Sequence, residues 1–220
     1  MSRVALLGSP FLGPEIWAPV AGCLERRGQS AIVVTGVGDA PDEVLASMLA
    51  ELPSDDELVL VPHSNAGLYA AALALTRRVR AIVFVDALLP GPGGHTAVTT
   101  ADLAEWLTDM AESGRLPVWS SWWPEASVAA LFPDAATRVR VEAGQPRMPL
   151  SYLQGRVATP RGWERLPCAY LGFGATYAEE QNTARRNGWP VIELDGGHLH
   201  QLVDPEGVAE AILHLLAVAA

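Results

Sequence analysis

The sequence predicts an α/β protein built on a mostly parallel, six-stranded sheet with helices on both faces. Three observations carry this. Six short runs of continuous apolar residues recur along the chain, bounded by turn residues. Five of the six are followed by a segment with helical spacing, and strands apolar on both faces belong in parallel sheets covered by helices. The rhythm breaks once, from residue 88 to about 160, and then resumes, which reads as an insertion into one domain spanning 1–220.

Each element has its own warrant. "RVALL" (3–7) is a buried strand, and "EIWAPVAGCLERRG" (15–28) a helix ending at Gly28. "SAIVVTG" (30–36) is the second strand. The helix "APDEVLASMLAEL" (40–52) carries Pro41 and acidic residues in its first turn, where a missing N–H costs nothing and negative charge meets the helix dipole. "DELVLVP" (56–62), the helix 65–78 and "VRAIVFVDA" (79–87) follow. After the Gly/Pro-rich loop 88–100, residues 101–160 give helical fragments broken by proline, with the aromatic cluster "VWSSWWPEA" (118–126). The alternation returns as strand 166–174, helix 178–188 and strand 189–197. The closing helix, 204–219, has Asp204 as N-cap and Pro205 at its first position.

Composition narrows the function classes. A formal charge of −10 without an offsetting arginine stripe repels a phosphate backbone, so nucleic acid is not an expected partner. No apolar run reaches membrane-spanning length and the N-terminal run is too short for a signal peptide, so a cytoplasmic location is expected, with no membrane partner. The two cysteines, Cys23 and Cys168, fall in a helix and a strand and read as buried thiols. No Cys/His cluster points to a metal, and nothing calls for a cofactor.

The chemistry centres on Ser64 in "VPHSNAG" (61–67). A serine on an abrupt strand-to-helix turn is an exposed nucleophile, and the turn needs small neighbours because strand and helix nearly touch. Ser64 follows a buried strand and precedes a helix, with Ala66 and Gly67 just beyond; the pattern G-x-S-x-G is kept in its second small position and replaced by Pro62 in its first. The alternative is that Ser64 merely caps the helix. "LDGGHLHQ" supplies His198 in a glycine-flanked loop after the last strand, where a general base is required. His200 is read as a loop histidine facing the insertion or solvent, and His63 as pointing away from the catalytic face. His95 and His214 carry no signal.

With these residues in view, the chain resembles a small α/β-hydrolase lacking the first two of the usual eight strands. "GSPFLGPEIW" (8–17) lines up on the family segment H-G-x-x-x-G-x-W. "VFVDALLPGPG" (83–93) is similar to the branch holding plant hydroxynitrile lyases and small esterases, and "GGH" with "DPEGVAEAIL" resembles the family's C-terminus. The resemblance implies that the insertion, about 94–160, is a helical lid. It also implies a triad acid. The usual position, near Ala175 or Thr176, holds no carboxylate, and Glu179 and Glu180 fall in a first helical turn. Asp86, at the end of the strand after the elbow helix, occupies a position from which some members of the family supply the acid, and the resemblance implies that role here; the alternative is an Asp that ties down the following loop by hydrogen bonds.

The oxyanion hole departs from the family. Asn65 N–H is one donor, but the second falls on Pro10, which has no N–H, so Phe11 N–H is the expected substitute, with the Ser9 hydroxyl as an alternative. Trp119, Trp122 and Trp123 either pack the insertion onto the body or, with Pro10, face the substrate as a wall for a flat apolar acyl group. The combined expectation is a serine-dependent acyl-transfer enzyme (an esterase, thioesterase or acyltransferase) forming a Ser64 acyl-enzyme. Its partner would be a small ester or thioester, free or carrier-bound, with an apolar, even aromatic, acyl group, of the kind met in natural-product pathways. A lyase or cyclase using the same Ser/His pair, and a non-catalytic binding protein, stay open as alternatives; so do monomer and homodimer.

Overall fold

The computed structural model describes residues 2–219. In chain order the elements begin with strand β1 (Arg3–Gly8), helix α1 (Ala18–Arg26), β2 (Ala31–Thr35), α2 (Pro41–Glu51), β3 (Leu58–Ser64), α3 (Ala70–Thr76) and β4 (Val79–Ala87). An excursion follows, with β5 (Gly94–Ala97), α4 (Ala101–Met110), α5 (Glu125–Ala129), α6 (Ala135–Ala143) and β6 (Arg156–Thr159). The chain then returns as β7 (Cys168–Phe173), α7 (Ala178–Arg186), β8 (Val191–Leu194), α8 (His200–Val203) and α9 (Pro205–Ala219).

The main sheet has six strands in the order β2-β1-β3-β4-β7-β8, every pair parallel. All six lie on the apolar runs read from the sequence. The central strands are buried along their length, as a sheet sandwiched between helix layers requires. Helices α1 and α9 pack together on one face, and α2 and α3 on the other. The chain turns one way from β1 to β2 and the other way from β2, across β1, to β3. The carboxyl ends of β1 and β3 therefore flank a topological switch point, where open α/β sheets hold ligands.

Local rules account for the helix boundaries. Asp204 Oδ1 accepts from Gly207 N–H at 2.9 Å, the capping bond expected for α9. Gly28, at φ 75°, ends the turn after α1 in a conformation that a Cβ would strain. The helix after Ser64 begins as a 3-10 turn, Asn65–Tyr69, before α3 proper.

The excursion is pinned at its base by an antiparallel ribbon, with Gly94 opposite Thr159 and Ala97 opposite Arg156. The sequence predicts a loop over 88–100, where β5 lies, and helical fragments over 101–160, where β6 lies. Each ribbon strand is four residues long and mixes polar with small residues (GHTA and RVAT), so neither makes an apolar run.

Candidate active site

The elbow at Ser64 is built by backbone strain and by one glycine. Ser64 sits at φ 57°, ψ −130°, a region costly for any residue with a Cβ and held only where the surroundings insist. The Leu88 N–H donates to Ser64 C=O at 3.1 Å, tying the elbow to the chain leaving β4. A Cβ on Gly67 would stand 1.9 Å from Leu88 O, so no other residue fits there. The elbow needs that close approach because β3 and β4 end side by side, with a register irregularity between His63 and Ser64.

His198, from the loop after β8, meets the hydroxyl, and Asp86, near the end of β4, meets His198. His198 Nε2 lies 3.1 Å from Ser64 Oγ, and His198 Nδ1 lies 2.6 Å from Asp86 Oδ2. Asp86 is fully buried, and its other oxygen, Oδ1, accepts from Phe173 N–H at 3.0 Å. A carboxylate can only accept, so Nδ1 carries the imidazole proton, Nε2 is left as acceptor, and Ser64 O–H donates to it. Asp86 is itself at φ 40°, and the end of β4 is fixed by the Tyr170 hydroxyl, which accepts from Ala87 N–H at 2.9 Å and donates to Ala87 O at 2.8 Å.

His63 departs from expectation. It does not point away: its ring stacks on that of His198, centroids 4.5 Å apart, and its Nε2–H donates to the His198 carbonyl at 2.9 Å. Strand alternation would place neighbours His63 and Ser64 on opposite faces, but Ser64 has left the strand conformation, so the rule fails at that step. The edge of Trp17, the tryptophan of the "GSPFLGPEIW" segment, closes the other side of His63, and Trp17 Nε1–H donates to Leu7 O at 3.0 Å. Burial, then the nearby His198, push the His63 pKa well below its ordinary value, so a neutral ring supports His198. His200 opens α8 rather than lying in a loop, and it is half-buried, packed over Gly196 and against Phe173 with 5.4 Å between centroids.

The oxyanion residues divide. Asn65 N–H has no acceptor among the described residues, while the Asn65 side chain is anchored at both its amide nitrogen and its oxygen. Its Nδ2 donates to Val98 O at 2.7 Å, and its Oδ1 accepts from Tyr152 O–H at 3.1 Å. Tyr152 in turn accepts from Tyr69 O–H at 2.6 Å. Phe11 N–H is directed back at Ser9 Oγ, 3.4 Å away, because the chain turns tightly through Leu12 and Gly13 onto Ser9 O. Phe11 thus meets the site with its ring, not its N–H. The same turn carries Pro10 out of the site; it lines a separate cleft with Thr35, Arg115 and Met148.

Over Ser64 lies a cavity of about 700 Å³. Phe11, Leu68, Leu88 and Leu89 form its floor side, while Val98, Leu103, Leu107, Trp119, Trp122, Trp123 and Leu131 come from the excursion. His198 is the only titratable base or acid in the lining besides the Tyr177 phenol. All three tryptophans named from sequence line it. They form part of an aromatic ladder: Trp106 to Trp123 at 5.2 Å, Trp123 to Trp119 at 6.4 Å, and Trp119 to His198 at 5.7 Å.

One contact was not foreseen. Tyr177 lies just past Ala175 and Thr176, where a family acid is absent, and its Oη is 3.3 Å from Ser64 Oγ. Glu179 and Glu180 lie in the first turn of α7, as expected for helix-terminal acids.

A strained serine at a strand-to-helix elbow, with histidine and carboxylate arriving from the ends of later strands, is accompanied by a sequence match. Residues 4–211 match the alpha/beta hydrolase family profile. The chain belongs to the α/β-hydrolase family. Solved structures give the same fold. An extracellular α/β-hydrolase from a Paenibacillus species is 19% identical, covers 98% of each chain and has a TM-score of 0.74. A methylesterase from Arabidopsis is 15% identical, covers 99% of this chain and 100% of its own, with a TM-score of 0.72. A pyrethroid hydrolase from Sphingobium faniae is 19% identical, covers 97% and 96%, and has a TM-score of 0.68. No curated protein matches the chain by sequence. Likeness at these identities establishes fold alone, since one scaffold hosts many reactions. Among the described residues of this α/β-hydrolase, no group of three metal-ligating side chains is assembled, and no helix is long and apolar enough to cross a membrane.

Proposed function

We propose that this protein is a serine esterase acting on neutral, bulky apolar esters through a Ser64 acyl-enzyme. The observation that carries the reading is the relay Ser64 Oγ to His198 Nε2 at 3.1 Å and His198 Nδ1 to Asp86 Oδ2 at 2.6 Å, set on a strained elbow. Ser64 attacks the ester carbonyl while its proton passes to His198 Nε2. The electron pair of the carbonyl moves onto its oxygen, facing Asn65 N–H. Collapse expels the alcohol, which takes the proton from His198. Asp86 holds the tautomer and stabilises the imidazolium. Water then repeats the sequence on the acyl-enzyme.

The substrate class follows from the lining. Apolar side chains and three tryptophans surround the serine without a cationic side chain, so a charged acyl or alcohol group would be desolvated there with no counterion. The excursion acts as the lid: it supplies most of the apolar wall and excludes water from one side. The similar structures include a methylesterase and a pyrethroid hydrolase, which supports ester hydrolysis as the reaction class.

The test is labelling with a fluorophosphonate probe followed by peptide mapping. Wild-type protein is expected to label at Ser64, and Ser64→Ala not at all. Folded wild-type protein that stays unlabelled would contradict the acyl-enzyme reading and favour proton-transfer chemistry or simple binding at the same cavity.

A further inference from the structure

The hydrogen-bond count at Ser64 Oγ exposes a group that the relay above does not use. The hydroxyl has one proton, and the tautomer imposed by Asp86 directs it to His198 Nε2. Tyr177 Oη, 3.3 Å from the same Oγ, therefore has to be the donor in its own contact. Its ring is held in place against His198, with centroids 5.4 Å apart. A phenol thus aims its proton at the nucleophile oxygen in the resting site.

That bond cannot survive the first step unchanged. When Oγ bonds to the substrate carbon it becomes an ester oxygen, a poor acceptor, and full charge appears on the oxygen geminal to it. A donor already aimed at Oγ is then near the atom that needs one. The conventional second donor is missing: Pro10 has no N–H, and Phe11 N–H faces Ser9 Oγ. We propose that Tyr177 is a catalytic residue whose phenol shifts its hydrogen bond from Ser64 Oγ to the oxyanion, completing with Asn65 N–H the pair of donors the tetrahedral stage requires.

Protons balance without Tyr177 giving up its own. The serine proton goes to His198 and leaves with the alcohol, while the phenol O–H stays intact and only changes acceptor. Burial raises the Tyr177 pKa above its ordinary value, which suits a donor that must not ionise. The role rests on the acyl-enzyme reading of Ser64.

The test is Tyr177→Phe, which keeps the ring against His198 and removes only the hydroxyl, assayed with a neutral p-nitrophenyl ester. Loss of one oxyanion donor is expected to lower kcat on the order of 100-fold, with KM within about 3-fold. A kcat within about 3-fold of wild type, in protein whose Ser64 still labels with fluorophosphonate, overturns the Tyr177 role and leaves the acyl-enzyme reading standing. Wild-type protein that does not label at Ser64 removes both. A second measurement is independent of the variant's folding: in a structure of the wild-type phosphonyl adduct, Tyr177 Oη is expected within hydrogen-bond distance of the phosphonyl oxygen. A phenol turned away from that oxygen contradicts the proposal.

Discussion

Asp86→Asn is the most revealing single substitution at the relay, because the structure dictates which way the new amide must face. Asp86 accepts two hydrogen bonds in a fully buried position, from His198 Nδ1 and from Phe173 N–H. An asparagine has one oxygen. If that oxygen takes the Oδ1 place and keeps the Phe173 bond, its NH2 faces His198 Nδ1 and forces the imidazole proton onto Nε2. Nε2 then meets Ser64 as a donor and cannot accept the serine proton. If the amide flips, the NH2 faces Phe173 N–H, and a buried donor is left unpartnered at a cost of about 1–3 kcal/mol. The fold therefore favours the wrong tautomer. Loss of the correct tautomer in a Ser/His/Asp relay lowers kcat by on the order of 10⁴, equivalent to about 5 kcal/mol at the barrier. The assay is kcat on a neutral chromogenic ester, with thermal melting to show that the variant is folded. Activity within about 10-fold of wild type would refute the assignment of Asp86 and return the role to Glu179, Glu180 or no acid.

Other consequences follow from the same geometry. Ser64→Gly is expected to be inactive yet about 1 kcal/mol more stable to denaturant than Ser64→Ala, because glycine relieves the strain at φ 57° that alanine keeps. Equal stability of the two would show that the elbow stores no strain. Tyr152→Phe leaves Asn65 Oδ1 and the Tyr69 hydroxyl unpartnered, so it is expected to cost about 2 kcal/mol, a fall in Tm of about 4–8 °C. An ester whose acyl chain ends in a carboxylate is expected to be turned over at least about 100-fold less well, in kcat/KM, than a neutral analogue of equal size, since the cavity offers no counterion. The pH dependence of stability follows from His63: its folded pKa lies below the ordinary 6.5, so above 6.5 both states are neutral there and the full stability is present. As pH falls below 6.5 the unfolded chain takes up a proton that the folded one refuses, and stability drops by up to about 1.4 kcal/mol per pH unit. His63→Gln is expected to flatten that limb of a urea-denaturation series; an unchanged slope would assign it elsewhere.

The sheet was legible because parallel strands buried on both faces make uninterrupted apolar runs, and six such runs account for all six strands. Ser64 and Asp86 are legible at the ends of the neighbouring strands β3 and β4, and His198 in the glycine-flanked loop that returns to them from the edge strand β8. The ribbon β5–β6 is not, since strands of four residues, mixing polar with small side chains, are too short to make an apolar run. The loop after β1 was misread because alignment fixes which residue occupies a position, not which way its N–H points. Pro10 and Phe11 exchange places there through a single tight turn onto Ser9 O. His63 meets His198 because the backbone leaves the strand conformation at Ser64, which a sequence does not display. Tyr177 had a faint signal. "ATYAEE" offers a phenol where a carboxylate is missing, but only the distance to Ser64 Oγ gives it meaning.

The central claim is a covalent acyl group on Ser64. Rapid mixing of the protein with a slowly deacylating neutral ester, acid quenching and intact-protein mass spectrometry tests it most directly. The expected result is a single added acyl mass, mapped by proteolysis to the peptide holding Ser64 and absent from Ser64→Ala. Turnover of the ester with no acyl mass at any time, or an acyl group mapped to another residue, would contradict the account.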